Sequence, residues 1–308
     1  MSGALERVVV RAPGKINLSL HVGGVDGRGY HALATVFQAV DLYETVTATR
    51  ADEMSLEITS EVPGEVPLDG TNLALRAAEL LRTECGVRDA AALHVRKQVP
   101  VAGGMAGGSA DAAAALRLAE RCYGGYYGID SVGEPILDAL GAALGSDVPF
   151  TLLGGTALGT GRGEQLTPMM ARGTYHWALI ASDRGLSTPQ VFHKLDEMRE
   201  KGRGGEPHMD TAAVSQALIS GDPHRVAEHL HNDLQPAALS LRPDLRKTLE
   251  AGVAAGALAG IVSGSGPTCA FLCAGAEEAR EVVSQVTVEI PGTKGVATHG
   301  PASGAVVL

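Results

Sequence analysis

The sequence predicts a mixed helix-and-strand protein built as two halves around a shared cleft. Three observations point there. At 308 residues the chain is long for a single core, so two domains are expected. From Lys15 to Val22 polar and apolar residues alternate without a break, the period of a half-buried strand. Between residues 92 and 119 a strand pattern runs through a glycine-rich loop into a helical apolar stripe.

In chain order, Val8 to Val10 begins a strand that Ala12, Pro13 and Gly14 break. The alternating segment follows, with Ile16, Leu18, Leu20 and Val22 on one face and Lys15, Asn17, Ser19 and His21 on the other. Solvent is the ordinary destination of such a polar face. Lys15, however, directly follows a Pro-Gly turn, from which it can project over a cleft beside Asn17. Residues 23–29 form a turn-rich loop leading to Tyr30 and His31. β-Branched residues mark strands at Thr35–Val40 and Thr45–Thr49. Asn72 to Glu84 is helical, with Leu73, Ala77 and Leu80 on one face.

The next strand, Ala92 to Val99, puts Leu93 and Val95 on one face and His94 and Arg96 on the other. Lys97 breaks that parity; it either snorkels or reaches a bound nucleotide. Ala112, Ala115, Leu116 and Ala119 then form the helical stripe, with Ser109 as its expected N-cap. Gly103, Gly104, Gly107 and Gly108 lie between. Glycines let backbone N–H groups point inward, and the helix start adds unpaired donors and the positive end of its dipole, so the segment reads as a phosphate cradle. It is not a Walker A loop, because Ser109 stands where the lysine belongs, nor does it have dinucleotide spacing. It is not a nucleophile elbow either, since Asp111 occupies the second glycine position.

Farther on, Ser131 and Glu134 form a candidate capping box. The helix it opens carries Ile136, Leu137, Leu140, Ala143 and Leu144 and stops at Gly145. Pro149 pushes Val148 toward extended backbone, so Asp147 is expected in a sharp helix-to-strand connection. An aspartate there is commonly a turn residue, but this one sits beside Val148, Pro149 and Phe150, where a carboxylate needs a partner. Residues 154–161 carry the chain into its second half. There Tyr175–Ala181 reads as a strand and Thr188–Pro189 as an N-cap with N1 proline, which puts Phe192 in the first turns of a helix. Residues 201–207 read as a surface excursion. His224, His229 and His231 lack metal-motif spacing and read as scattered surface histidines. Ala259–Val262 and Thr268–Cys273 are strands around a Gly/Ser loop, 263–267, that is either another wall of the phosphate site or an ordinary hairpin.

Composition narrows the function. A net charge of −10, with no basic patch, excludes a nucleic-acid partner. Cys85, Cys122, Cys269 and Cys273 contain no Cys-x-x-Cys pair and read as reduced thiols of a cytoplasmic protein. No signal peptide is evident, and the longest apolar run, 251–262, is too short and glycine-rich to span a bilayer, so no membrane partner is expected.

Together, residues 12–18, 29–31, the glycine loop, 145–149 and 263–267 resemble the GHMP kinase superfamily, in the order of its motifs and across nearly the whole chain. The resemblance implies a two-domain α+β GHMP kinase fold. It has an N-terminal domain at 1–158, a C-terminal domain at 159–308, and the active site in the inter-domain cleft. It implies ATP with Mg²⁺, and a small-molecule substrate: a cytidine diphosphate conjugate phosphorylated on the tertiary 2-hydroxyl of its methylerythritol moiety. By the same resemblance Asp147 matches the catalytic base and Lys15 the lysine beside it. Asn17, Tyr30, His31, Thr188 and Phe192 fall at substrate positions, with Gly264, Ser265 and Gly266 of the C-terminal loop. The ATP site comprises Ala102, Gly103, Gly104, Met105, Ala106, Gly107, Gly108, Ser109, Ala110, Asp111 and Ala112, with Asn72 and Lys97 near adenine.

The loop departs from the family pattern. Ala102 and Ala106 stand where close relatives commonly have glycine, and Ala110 replaces a serine, leaving Ser109 as the hydroxyl that can meet a phosphate or Mg²⁺. A positive φ at Ala106 would carry strain. A homoserine or mevalonate kinase is the nearest alternative, disfavoured by Tyr30, His31 and Phe192, because those substrates have no base to stack. A non-catalytic nucleotide-binding regulator is disfavoured by the presence of both Lys15 and Asp147. The chain is expected to act as a monomer or weak homodimer.

Overall fold

The computed structural model describes residues 7–27, 29–62, 64–84, 86, 90–127 and 133–308. The first half contains β1 (Val8–Val25), β2 (His31–Ala51), β3 (Ser55–Ser60), α1 (Leu73–Glu84), β4 (Ala90–Lys97) and α2 (Gly107–Tyr127). After these come α3 (Glu134–Leu144), α4 (Val148–Leu153), β5 (Thr156–Thr160) and β6 (Gln165–Pro168). The second half begins with β7 (Tyr175–Ser182), α5 (Thr188–Glu200), α6 (Ala212–Ser220), α7 (Pro223–Ala227), β8 (His231–Asn232), α8 (Gln235–Leu241) and α9 (Asp244–Ala254). It ends with β9 (Ala259–Val262), β10 (Cys269–Cys273), α10 (Ala276–Glu289), β11 (Thr293–Gly300) and β12 (Val306–Val307). The candidate capping serine, Ser131, lies outside the described residues, as do Cys85 and the side chain of Cys122.

Among the described residues the strands form two sheets. The larger runs β12-β1-β2-β4-β3, with β5 also on β2, β6 on β5 and β8 parallel to β1. The smaller is antiparallel, in the order β11-β7-β10-β9. Residue 158 falls inside β5, and the larger sheet takes back residues 231–232 and 306–307 from the second half.

Two expectations about local structure are corrected. Pro13 and Gly14 do not break the first strand. β1 continues through them, and its pairing with β2 jumps from Pro13↔Tyr43 to Gly14↔Val40. A bulge tolerates a proline because the residue placed there need not donate to the ladder. The two strands expected between Thr35 and Thr49 are likewise one strand, β2, running past this bulge. Second, Pro149 lies in the first turn of helix α4, so Asp147 lies in a helix-to-helix connection. A proline in the first helical turn removes an N–H that has no intrahelical partner anyway, and its fixed φ suits the helix.

α2 and α1 pack their small apolar faces over the larger sheet, around Val10, Val46, Leu93, Val95, Ala113 and Leu116, and α3 packs on α1, α2 and α4. A separate cluster fills the second half around Ile180, Val191, Leu195 and Phe271. Ile16, Leu18, Val36 and Met105 meet Trp177, Leu179 and Leu272 in a third cluster, so the halves share a core beneath the cleft. At that seam the Trp177 indole donates to Gln38 Oε1 at 3.2 Å, and Gln38 Nε2 donates to Thr156 Oγ1 at 3.3 Å. No helix among the described residues is long and apolar enough to cross a membrane.

Leaving a buried donor unpaired costs about 1–3 kcal/mol. Gln38→Leu, which strands the Trp177 N–H, is therefore expected to lower the unfolding free energy by about that amount, measured by urea denaturation.

Candidate active site

The strand's polar face is not solvated. Lys15, Asn17, Ser19 and His21 are all buried, and a buried ammonium needs partners for its N–H groups. Lys15 Nζ donates to Asn17 Oδ1 at 2.9 Å and to the Gly104 carbonyl at 3.0 Å, and lies 3.6 Å from Asp147 Oδ2. The chain of contacts continues from Asn17 Nδ2 to Thr35 Oγ1 and from Thr35 Oγ1 to the Ser19 carbonyl, both 2.8 Å. The Phe37 ring lies 5.6 Å below the ammonium, within cation–π range.

The glycine loop is held between two neighbours. The Lys15 N–H donates to the Met105 carbonyl at 3.1 Å, and Ser263 Oγ donates to the Gly104 carbonyl at 3.1 Å. Gly104 has φ +75°, and a Cβ there would stand 2.0 Å from the Ser263 carbonyl oxygen, so the two loops touch where only glycine fits. The Gly/Ser loop is thus a wall of the site. Gly264 has φ +55°, and a Cβ on it would stand 3.3 Å from Lys15 Nζ. Ala102 and Ala106, the two alanines in glycine positions, adopt φ +51° and +61°. The strain expected at Ala106 is present, and Ala102 shares it.

Ser109 is not the N-cap of α2. The helix starts at Gly107, and its first i+4 bond runs from the Ala110 N–H to the Ala106 carbonyl at 2.8 Å, which puts Ala106 in the cap position. Ser109 instead lies in the first turn, facing the cleft. Thr151 Oγ1 of α4 donates to the Ser109 carbonyl at 3.2 Å and its N–H to the Asp147 carbonyl at 3.1 Å, coupling Asp147 to the base of α2.

A cleft of about 730 Å³ opens above these groups. Lys15, Asn17, Ser109 and Asp147 line it together with Ala102, Gly103, Gly104, Ala106, Gly107 and Gly108. Its other wall carries Tyr30, His31, Thr188, Phe192, Gly264 and Ser265. His31 Nε2 lies 2.8 Å from Asp196 Oδ1, and the His31 and Phe192 ring centroids are 5.0 Å apart. Tyr30 is 51% exposed, with the Arg162 guanidinium 5.2 Å from its ring centroid. Thr188 opens α5 behind Ser187, which takes the N-cap position expected for Thr188; the Thr188 hydroxyl instead meets Ser265 Oγ at 2.8 Å. Sequence reasoning missed Thr35, Arg162 and Asp196, whereas Ser263 belongs to the 263–267 loop it had marked. Only Asp196 carried a signal, four residues after Phe192 on the same helix face.

Several residues assigned to the nucleotide, and Gly266 of those assigned to the substrate, do not line the cleft. Lys97 is on the inward face of β4 with Leu93 and Val95, and ion-pairs with Glu44 Oε1 at 2.6 Å and Asp111 Oδ2 at 2.7 Å. This buried triad lies directly under Gly107, whose added Cβ would stand 3.0 Å from Glu44 Oε1. Burial pushes the Glu44 and Asp111 carboxyls up, against the pull of Lys97. Burial acts to lower Lys97, but the two carboxylates outweigh it and raise its pKa. The Lys97 side chain therefore neither snorkels nor enters the cleft. Asn72 is occupied with backbone: Oδ1 accepts from the Ala74 N–H at 2.9 Å and Nδ2 donates to the Pro67 carbonyl at 2.8 Å. Met105, Ala110 and Ala112 are core residues. Gly266 is a turn residue with φ +81° and its N–H on the Ser263 carbonyl at 2.8 Å.

With this geometry in view, the chain belongs to the GHMP kinase family. The family's N-terminal domain model matches residues 72–155 and its C-terminal model residues 214–289. The chain is 52% identical over 310 residues to a 4-diphosphocytidyl-2-C-methyl-D-erythritol kinase of Corynebacterium diphtheriae, covering 96% of each chain. It is also similar to the crystal structure of a 4-(cytidine 5′-diphospho)-2C-methyl-D-erythritol kinase. There the TM-score is 0.77 at 28% identity, over 96% of this chain and all of the other, 100%. The fold is shared as well by an L. major mevalonate kinase, with a TM-score of 0.75 at 14% identity over 99% of this chain and 100% of that one.

Left-handed backbone costs a non-glycine residue about 1–2 kcal/mol, against roughly 0.5–1 kcal/mol of extra chain entropy for glycine. Ala106→Gly is accordingly expected to stabilise the protein by about 0.5–1 kcal/mol in a denaturation series; a loss of stability would show that the loop relaxes around alanine.

Proposed function

We propose that this chain transfers the γ-phosphoryl group of ATP to the 2-hydroxyl of 4-diphosphocytidyl-2-C-methyl-D-erythritol, a step of non-mevalonate isoprenoid precursor synthesis. The observation that carries the reading is the placement of Lys15 and Asp147 between a backbone phosphate cradle and an aromatic wall. Relatives of that name, matching at about half of all positions over nearly the full length, support the choice of substrate.

Phosphoryl transfer asks a protein for positioning and for stabilisation of spread negative charge. The loop amides and the start of α2 receive the phosphate tail. The Ser109 hydroxyl and the Asp147 carboxylate, both lining the cleft, would be the hard oxygen donors for an ATP-bound Mg²⁺, which would neutralise part of the phosphate charge. Asp147 accepts the proton of the 2-hydroxyl as that oxygen attacks the γ-phosphorus, and the bond to the ADP oxygen breaks. Lys15, held by Asn17 and Gly104, sets its ammonium group beside the reacting oxygens.

Tyr30 and Phe192 clamp the cytosine ring while His31, oriented by Asp196, hydrogen-bonds its edge. Mevalonate and homoserine offer no base to this wall. A cytoplasmic setting suits the free thiols of Cys269 and Cys273, which burial pushes up to about 12 and about 11. The deciding experiment is a coupled ADP-release assay across the cytidine diphosphate conjugate, mevalonate and homoserine. Turnover with the first alone supports the reading, and preference for either of the others sinks it.

Asp147→Asn is expected to fold normally and lose about 10²–10⁴-fold in kcat, the scale of a lost general base. Near-normal turnover of the purified variant would remove Asp147 from that role.

Stacking a base on an aromatic ring is worth roughly 1–3 kcal/mol. Tyr30→Ala and Phe192→Ala should each raise KM for the cytidine substrate by about ten- to a hundredfold and leave KM for ATP unchanged. A rise in the ATP value alone would mean that this wall holds adenine.

A further inference from the structure

Away from the cleft, three histidines and an aspartate from distant parts of the chain converge. His21 lies on β1, six residues beyond Lys15. His231 is in β8, which pairs with β1 beside it, Asp233 follows two residues later, and His208 comes from the 201–211 segment between α5 and α6. One potential ligand atom from each of the four falls within 4.8 Å of all the others. His21 and His231 stack with centroids 4.8 Å apart, and His208 stands 4.3 Å from His21 and 5.5 Å from His231. His231 is therefore not a scattered surface histidine. The ligands come from three separated segments, so no local spacing motif could have revealed them.

We propose that His21, His208, His231 and Asp233 bind one transition-metal ion of the zinc class, and that this ion pins the 201–211 segment to β1. Two observations besides proximity support a built site. His21 Nδ1 is buried with no hydrogen-bond partner, and a buried ring nitrogen without one is costly. Asp233 is anchored from behind: Oδ2 accepts from the Val22 N–H at 2.8 Å and from Arg199 Nη2 at 3.4 Å, which presents Oδ1 to His231 at 2.7 Å. Imidazole nitrogens with one carboxylate select zinc-class ions over Mg²⁺ or Ca²⁺, which prefer all-oxygen sets.

Tetrahedral zinc, with bonds of about 2.0–2.2 Å, sets its ligand atoms about 3.3 Å apart. The cluster must contract slightly, and the exposed His208 ring is the one able to turn inward. Binding displaces the proton shared by His231 and Asp233. The segment already leans on β1, since a Cβ on Gly23 would stand 3.5 Å from Met209 Sδ, and α5 just before it is tied there too, with Arg199 Nη2 donating to the Val22 carbonyl at 2.7 Å. The ion would fix its far end.

The test uses the full chain, stripped with a chelator and without ATP. Calorimetric titration with ZnCl₂ is expected to give one strong site per chain, and Co²⁺ in its place the intense visible bands of a tetrahedral ion. Zn²⁺ should also protect the bonds after Lys201 and Arg203 from trypsin. His208→Ala, on the exposed segment, is the decisive variant because it does not disturb the core, whereas His21→Ala risks unfolding. His208→Ala and His231→Ala should weaken Zn²⁺ binding at least a hundredfold and abolish the protection, while the double change His224→Ala, His229→Ala leaves both intact. Unaltered Zn²⁺ binding by His208→Ala, an octahedral Co²⁺ spectrum, or binding lost in the His224/His229 double variant would overturn the proposal.

Discussion

A single ammonium group organises the cleft. The Lys15 side chain is only 5% exposed, and a charge so placed survives only if its N–H groups find oxygen. It draws on a side chain of its own strand, a carbonyl of the glycine loop and a carboxylate from the α3–α4 connection. Satisfying one cation therefore sets the relative placement of three separate segments. It also turns the Gly104 carbonyl inward, so Gly104 must be left-handed and its neighbour Ser263 must lie in van der Waals reach. The bulge at Pro13 and Gly14 serves the same end, because it re-aims the strand just before the lysine.

A second lysine lies on the opposite side of the loop and does a different job. Lys97 is enclosed with Glu44 and Asp111, and the triad ties β4, β2 and α2 together beneath Gly107. The loop is thus fixed from below by ion pairs and from above by Lys15 and Ser263. A cradle held on both faces can keep its amides oriented before the nucleotide arrives, which is where electrostatic preorganisation gains its effect.

Much of this was legible in the sequence, and the failures have physical causes. The period-2 alternation of β1, the helical stripe of α2 and the Gly/Ser loop each carry local signals, and all three segments reach the cleft, although the sequence left the loop open between a wall of the site and an ordinary hairpin. Lys97 was misplaced because its partner Glu44 is on a strand paired only in three dimensions, so its break in parity had no local explanation. Asn72 likewise reads as a polar residue with free hydrogen-bonding groups, yet both ends of its amide serve nearby backbone. The Pro149 connection was misread because proline's bias on the preceding residue competes with its tolerance in a first helical turn, and here the turn prevailed. The histidine cluster was missed because His231, though noticed, lacks a local metal motif, and His21 reaches it only through the pairing of β1 with β8.

The pairing of β1 with β12 has a bearing on how the cleft is completed. Val10 and Arg11 find their outer neighbours in Val307 and Val306, and the Leu308 N–H donates to the Val9 carbonyl at 2.9 Å. The outer edge of the strand that presents Lys15 is thus covered by residues far away in sequence. Contacts of such sequence separation form late. Until residues 306–308 dock, the outer edge of the strand that carries Lys15 has unpaired backbone groups, so the floor of the cleft is finished by a contact between the two halves.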